Sequence, residues 1–210
     1  MLDVIQAHLE AIYGIRCEYR ASDFLVDSES ARALGASGQS REELLVHEGD
    51  GELELALYVD PVVLQRVSSV DPAQALELDI SGFCEIAEGV SHFVYMVESA
   101  LRERRVSLLE LEVQAEVDKF VICALLRWGS GRARTWGLAL LGLLFDRVHF
   151  RSAMSEHERW RYVHSSRIAK AYCRRLVPLL DAGDLGRVLS ELRHGYRLGA
   201  EAKLHYFGRS

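Results

Sequence analysis

Glu85, Glu88 and His92 are the first residues whose types and spacing could do chemistry. At about 100° per residue on a helix, Ile86, Val90, Val94, Val97 and Leu101 form one apolar stripe, and Glu85, Glu88, His92 and Tyr95 fall on the opposite side. Glu88 and His92 are four apart, so their side chains can meet. A carboxylate and an imidazole at that spacing can bind a transition metal or share a proton. The plainer reading is a solvated polar face with a local hydrogen bond. Glu112 and Glu116 repeat the four-residue spacing, with Lys119 three further on, and the plain reading there is an exposed face with a Glu–Lys pair. Gln114 and Asp118 fall inside the apolar face of Leu111, Val117, Val121 and Leu125, and a buried aspartate needs a partner.

A third group lies in the stretch Glu156–Arg175. Arg159, Arg161, Arg167, Lys170, Arg174 and Arg175 alternate with Trp160, Tyr162, His164 and Tyr172. Cations interleaved with aromatics can hold single-stranded nucleic acid. They can equally dock an acidic surface, and the nearest is the N-terminal part of this chain or of a second copy in a homodimer; docking is the preferred expectation. His157 and His164 are seven apart, too far for a ligand pair on one helix turn. WGSGRAR lacks the GK[ST] ending of a phosphate loop, and neither GxGxxG nor GxSxG occurs.

The elements that must position these residues follow from pattern. Residues 3–12 read as a helix, Ile15 to Tyr19 as a strand, and 27–42 as a polar loop. Leu44–Val46 and Leu53–Val59 read as a hairpin turning at Asp50-Gly51, the second strand alternating Leu53, Leu55, Leu57 and Val59 with Glu52, Glu54, Ala56 and Tyr58. Asp60-Pro61 opens a short helix to about Val67. Long helices are expected over Ile80–Arg104, Ser107–Trp128, Thr135–His149, Ser155–Leu180 and Asp184–Tyr196, with Gly129-Ser-Gly131 as a break and capping patterns at Ser107/Glu110 and Ser155/Glu158. The fold class is therefore α+β: a small antiparallel sheet in the N-terminal third, then a bundle of about five helices.

Composition sets the outer bounds. The chain has 210 residues, 49% hydrophobic and 27% charged, an ordinary globular balance. The longest apolar run, Trp136 to Phe145, is about half of what a bilayer needs, and the N-terminus lacks the basic region of a signal peptide; a soluble, cytoplasmic protein is expected. Cys17, Cys84, Cys123 and Cys173 form no CxxC pair and read as reduced thiols in or near a core. Residues 1–126 hold 9 basic and 24 acidic residues, a net charge of −15, whereas 127–210 hold 16 and 7, a net of +9. That asymmetry suggests an acidic α+β domain over 1–128 and a basic helical region over 129–210 docked on it.

A strand ELELALYV, then EGVSHF, then EVDKF resembles the order of the small zinc metallopeptidases known as zincins, in the group whose third ligand is a glutamate. These run as strand, metal helix with HExxH, and second helix, and in one bacterial group the second helix carries a pattern like E-A-D-x-F. The resemblance covers roughly residues 40–125. It places His92 on the second histidine and Glu116 on the third ligand, with Asp118 and Phe120 matching the residues that follow. Glu88 stands where the first histidine belongs, and Gly89 stands where the glutamate that activates water belongs.

What the resemblance implies is a degenerate scaffold. The leading expectation is a non-catalytic accessory protein that binds a peptide or protein partner, needs no cofactor, and uses Glu85, Tyr95 and Glu112, with Arg167, Lys170 and Arg174, as binding residues. An extended peptide can add as a strand to the edge beside the helix. The alternatives are a zinc-dependent hydrolase with Glu88, His92 and Glu116 as ligands and Glu85 or Glu112 as base, and a nucleic-acid-binding module on residues 156–175.

Overall fold

The computed structural model describes residues 1–49, 51–129, 136–146 and 155–209. Expectations for Asp50, for the Ser130–Gly131 break and for the ends of the Thr135–His149 helix lie outside those residues. The chain forms two compact units: Met1–Ala11 with Ile15–Arg105, and Ile12–Gly14 with Val106–Ser210. The expected boundary at 128/129 thus moves upstream, because the helix that precedes it packs with the helices that follow.

In the first unit, α1 (Leu2–Tyr13) is followed by a short 3-10 turn, Ala21–Phe24, then β1 (Leu25–Val26) and α2 (Ser28–Ala33). Ile15 to Tyr19 is not a strand. Its chain is tied to α1 by side chains: the Gln6 amide donates to Tyr19 O at 2.7 Å and accepts from Ala21 N at 2.8 Å. The expected loop at 27–42 contains α2, opened by the Asp27 carboxylate accepting from the amides of Glu29 and Ser30. β2 (Glu42–Gly49) and β3 (Glu52–Val59) make the hairpin, with Gly51 at φ +82° in its turn.

The sheet order is β1-β3-β2, with β1 parallel to β3 and β2 antiparallel to it. The sheet is therefore mixed, not purely antiparallel as expected. β2 lies at its edge. Directly opposed residues share a face, so Glu42, Leu44, Val46 and Glu48 stand with Val59, Leu57, Leu55 and Leu53 on one side. That side receives α5 (Ile80–Leu101). Before it come α3 (Pro61–Val67) and α4 (Pro72–Leu78), each with proline in its first turn and an aspartate cap, Asp60 and Asp71. Leu57, Phe83, Ile86, Val90 and Phe93 are fully buried, and Phe93 meets Phe24 with ring centroids 4.8 Å apart.

The second unit is helical: α6 (Leu108–Gly129), α7 (Gly137–Phe145), α8 (Glu156–Ala182), α9 (Leu185–Arg197) and α10 (Ala200–Gly208). α8 is the spine, against which α6, α7, α9 and α10 pack. It begins with the full Ser155/Glu158 capping box and ends at Gly183, which adopts the left-handed conformation at φ +75°. Helix α10 lies beyond the last of the expected helices. Gly195 on α9 is required by close approach: a Cβ there would stand 2.4 Å from the Phe207 ring. With ten helices among the described residues and one small sheet near the N-terminus, the chain is α+β. No helix among the described residues is long and apolar enough to cross a membrane.

Candidate functional site

The hairpin and α5 together make the most feature-rich surface of the first unit. α5 carries apolar residues around most of its circumference, and a helix of that kind is enclosed on several sides. His92 is 7% exposed and Tyr95 1% exposed, so the expected solvated face does not exist. His92 Nδ1 stands 3.7 Å from Glu42 Oε2, an approach of β2 to the helix. Glu85 pairs with Arg41 at 3.7 Å, just before β2. Glu88, half-buried, lies one turn before His92. Tyr95 lies beneath the Arg104 guanidinium, 5.0 Å from the ring centroid, and Arg104 also donates to Ser99 Oγ at 2.7 Å.

Gly89 lies against the sheet. A Cβ at that position would meet Leu57 Cδ1 at 3.1 Å and Glu42 Oε2 at 3.2 Å. A longer side chain there requires the ends of the Leu57 and Glu42 side chains to shift. Further along, the two elements diverge. A cleft of about 460 Å³ opens between the hairpin tip (Glu48, Gly49, Gly51, Glu52, Leu53) and the end of α5 with the residues after it (Met96, Ser99, Ala100, Glu103, Arg104, Arg105). Val46, on the side of the sheet that faces α5, is left 42% exposed beside it.

In the second unit, Glu112 is buried rather than exposed and pairs with Arg161 at 3.4 Å. Glu116 pairs with Lys119 at 3.0 Å, as the three-residue spacing allows, although both side chains are largely covered. The buried Asp118 has the partners its position demands. It accepts from the Tyr13 hydroxyl, and from the Gln114 amide at 2.8 Å. Gln114 Oε1 in turn accepts from Lys203 Nζ at 2.9 Å. Lys203 is fully buried, its ammonium 5.2 Å from the Tyr196 ring centroid, and Tyr196 stacks on Tyr13 at 4.0 Å. Burial and the adjacent Asp118 hold the Tyr13 hydroxyl well above the usual tyrosine range. Reading the sequence found Asp118 and Gln114 but missed Tyr13 and Lys203. The signal for Lys203 is its place four residues before Phe207, within a short periodic segment beyond the last expected helix.

On α8, three of the six cations have partners inside the second unit. Arg161 pairs with Glu112, Lys170 with Asp146, and Arg175 donates to the carbonyl of Tyr206 at 2.8 Å. Arg159, Arg167 and Arg174 are exposed. Trp160 is half-exposed and stacked against His164, ring centroids 4.0 Å apart. The four cysteines are free thiols; Cys123 and Cys173 are buried. Burial, with Glu116 and Asp118 nearby, pushes the Cys173 thiol well above its ordinary value.

Compared with known proteins, the chain matches no family model, no curated protein and no solved structure.

Proposed function

We propose that this chain is a non-catalytic peptide- or protein-binding accessory protein on a degenerate metallopeptidase-like scaffold, and that β2 is the edge to which an extended partner segment is added. The observation that carries the reading is the edge position of β2, eight residues long, beside a cleft whose lining includes Leu53, Met96 and Ala100. Strand addition supplies affinity through main-chain hydrogen bonds, and a cleft beside the edge supplies selectivity for alternate side chains. Gly89 supports the absence of catalysis: it stands where the resembled family has the glutamate that activates water, and a Cβ there would press on the Leu57 and Glu42 side chains. Incubation with a panel of fluorescent peptides should yield complexes of intact peptide, unaffected by chelators, with β2 amides protected from hydrogen exchange. Cleavage of the peptides that a chelator stops would overturn the reading.

The second reading, a metal-dependent hydrolase with Glu88 and His92 among its ligands, draws on one contact. A carboxylate beside one ring nitrogen is the usual device for orienting a ligating histidine, and Glu42 stands in that position toward His92 Nδ1. Its test is the metal content of protein purified without an affinity tag. Stoichiometric zinc or iron, lost in His92→Ala, would favour it.

A further inference from the structure

The partner's chemistry can be read from the open edge, on the footing of the strand-addition reading above. We infer that the segment added to β2 is basic and apolar by turns: an apolar residue placed across from Val46 and a lysine or arginine placed across from Glu48. Val46 and Glu48 are two apart on β2, so they lie on the same side of the sheet, the side that faces α5. A strand added at the edge puts one of its residues beside each, with Cβ atoms about 5 Å away. The residue beside Val46 finds an exposed valine, two residues from Glu48 on the wall of a cleft whose lining includes Leu53, Met96 and Ala100. The residue beside Glu48 finds an exposed carboxylate.

The rim favours a cation there. Glu52 and Glu103 join Glu48 around the cleft, while Arg104 is turned onto Ser99 and the Tyr95 ring. Arg105 is exposed on the same rim and, like Glu103, follows α5, so these two charges offset each other and the acidic excess comes from Glu48 and Glu52 of the hairpin. At longer range the first unit holds 8 basic and 20 acidic residues, a net charge of −12, and a field of that sign speeds the arrival of basic segments.

The same charges argue against a second copy of β2 as the occupant. Antiparallel self-pairing centred on Leu45 and Val46 brings Glu43 of one copy across from Glu48 of the other. Like charges directly opposed destabilise a pair of strands, and charged edges are how sheets avoid joining each other.

The experiment uses the full chain and three synthetic peptides that share alternating valine on one face and threonine on the other. Lysine, glutamine or glutamate replaces every second valine. Affinity is measured by calorimetry at low and moderate salt. The lysine peptide should bind tightest, ahead of the glutamine peptide by up to about fivefold from the Glu48 pair alone, with the gap narrowing as salt is raised. Glu48→Arg should invert the order of the lysine and glutamate peptides, and a backbone N-methylated lysine peptide should lose binding. Equal binding of all three peptides, abolished by N-methylation, would overturn the charge inference and leave strand addition standing. Binding by none of them would overturn both.

Discussion

Gly195 and Gly89 are both places where a side chain would press on its neighbours, and they differ in how firmly. At Gly195 a methyl group would run into the Phe207 ring and approach the Tyr172 hydroxyl. Gly195→Ala should destabilise the second unit by about 1–3 kcal/mol, read from the denaturant midpoint, despite alanine's better helix propensity. At Gly89 the neighbours are Leu57 and Glu42. Gly89→Glu should lower stability without creating peptidase activity; a stable, chelator-sensitive peptidase would show that the position was merely vacant. Asp118 was legible as a buried acid in need of partners, because it broke an apolar stripe. Its distant neighbours were not legible: Tyr13 is 105 residues away, and Lys203, which donates to Gln114, is 89 residues from that glutamine. No periodicity reports pairing at that distance. Tyr13→Phe leaves a buried carboxylate with one donor fewer, at a cost of about 1–3 kcal/mol.

Elements with a long period or a definite cap were readable from sequence; short ones were not. The hairpin came from strict alternation, and α8 came from its Ser155/Glu158 box, which the structure contains in full. Ser155→Ala should cost about 1 kcal/mol and fray the first turn of α8, visible as faster hydrogen exchange there. β1, two residues long, and α2 and α4, six and seven residues long, are too short for periodicity to register. Ile15 to Tyr19 misled because apolar alternation there resembles a strand. The candidate site was half legible for the same reason. The edge strand and His92 could be placed, but not the approach of Glu42 to the imidazole nor the burial of Tyr95, which depend on how α5 meets the sheet.

At the scale of the whole molecule, acidity and basicity divide along the chain much as the two units do, yet the boundary falls at Arg105/Val106 rather than near residue 128. Charge counts could not place it, since α6 itself carries Glu110, Glu112, Glu116 and Asp118 into the more basic unit. Trp128, Trp136 and Trp160 all belong to the second unit, so tryptophan emission follows that unit alone. Alkali should unfold it. Burial raises the Tyr13 and Tyr172 hydroxyls above the usual tyrosine value near 10. Above about pH 10 the unfolded chain gives up these protons and the folded one keeps them, so the stability present below that pH is lost as pH rises further. Each such tyrosine contributes at most about 1.4 kcal/mol per pH unit. A shift in tryptophan emission beginning near pH 10, weakened in Tyr13→Phe, is the expected result; emission constant to much higher pH would contradict it.

Ile12–Gly14 belong to the second unit although they are made long before the rest of it. Tyr13 hydrogen-bonds Asp118 and stacks on Tyr196, and the Ile12 carbonyl accepts from Arg193 at 2.9 Å, 181 residues along the chain. During synthesis the last turn of α1 must therefore wait, its tyrosine without its berth, until Arg193 and Tyr196 have been made. A nascent chain halted before Arg193 holds most of the helices of the second unit but not their full set of contacts. The second unit thus matures only when segments 181 residues apart along the chain are both in place.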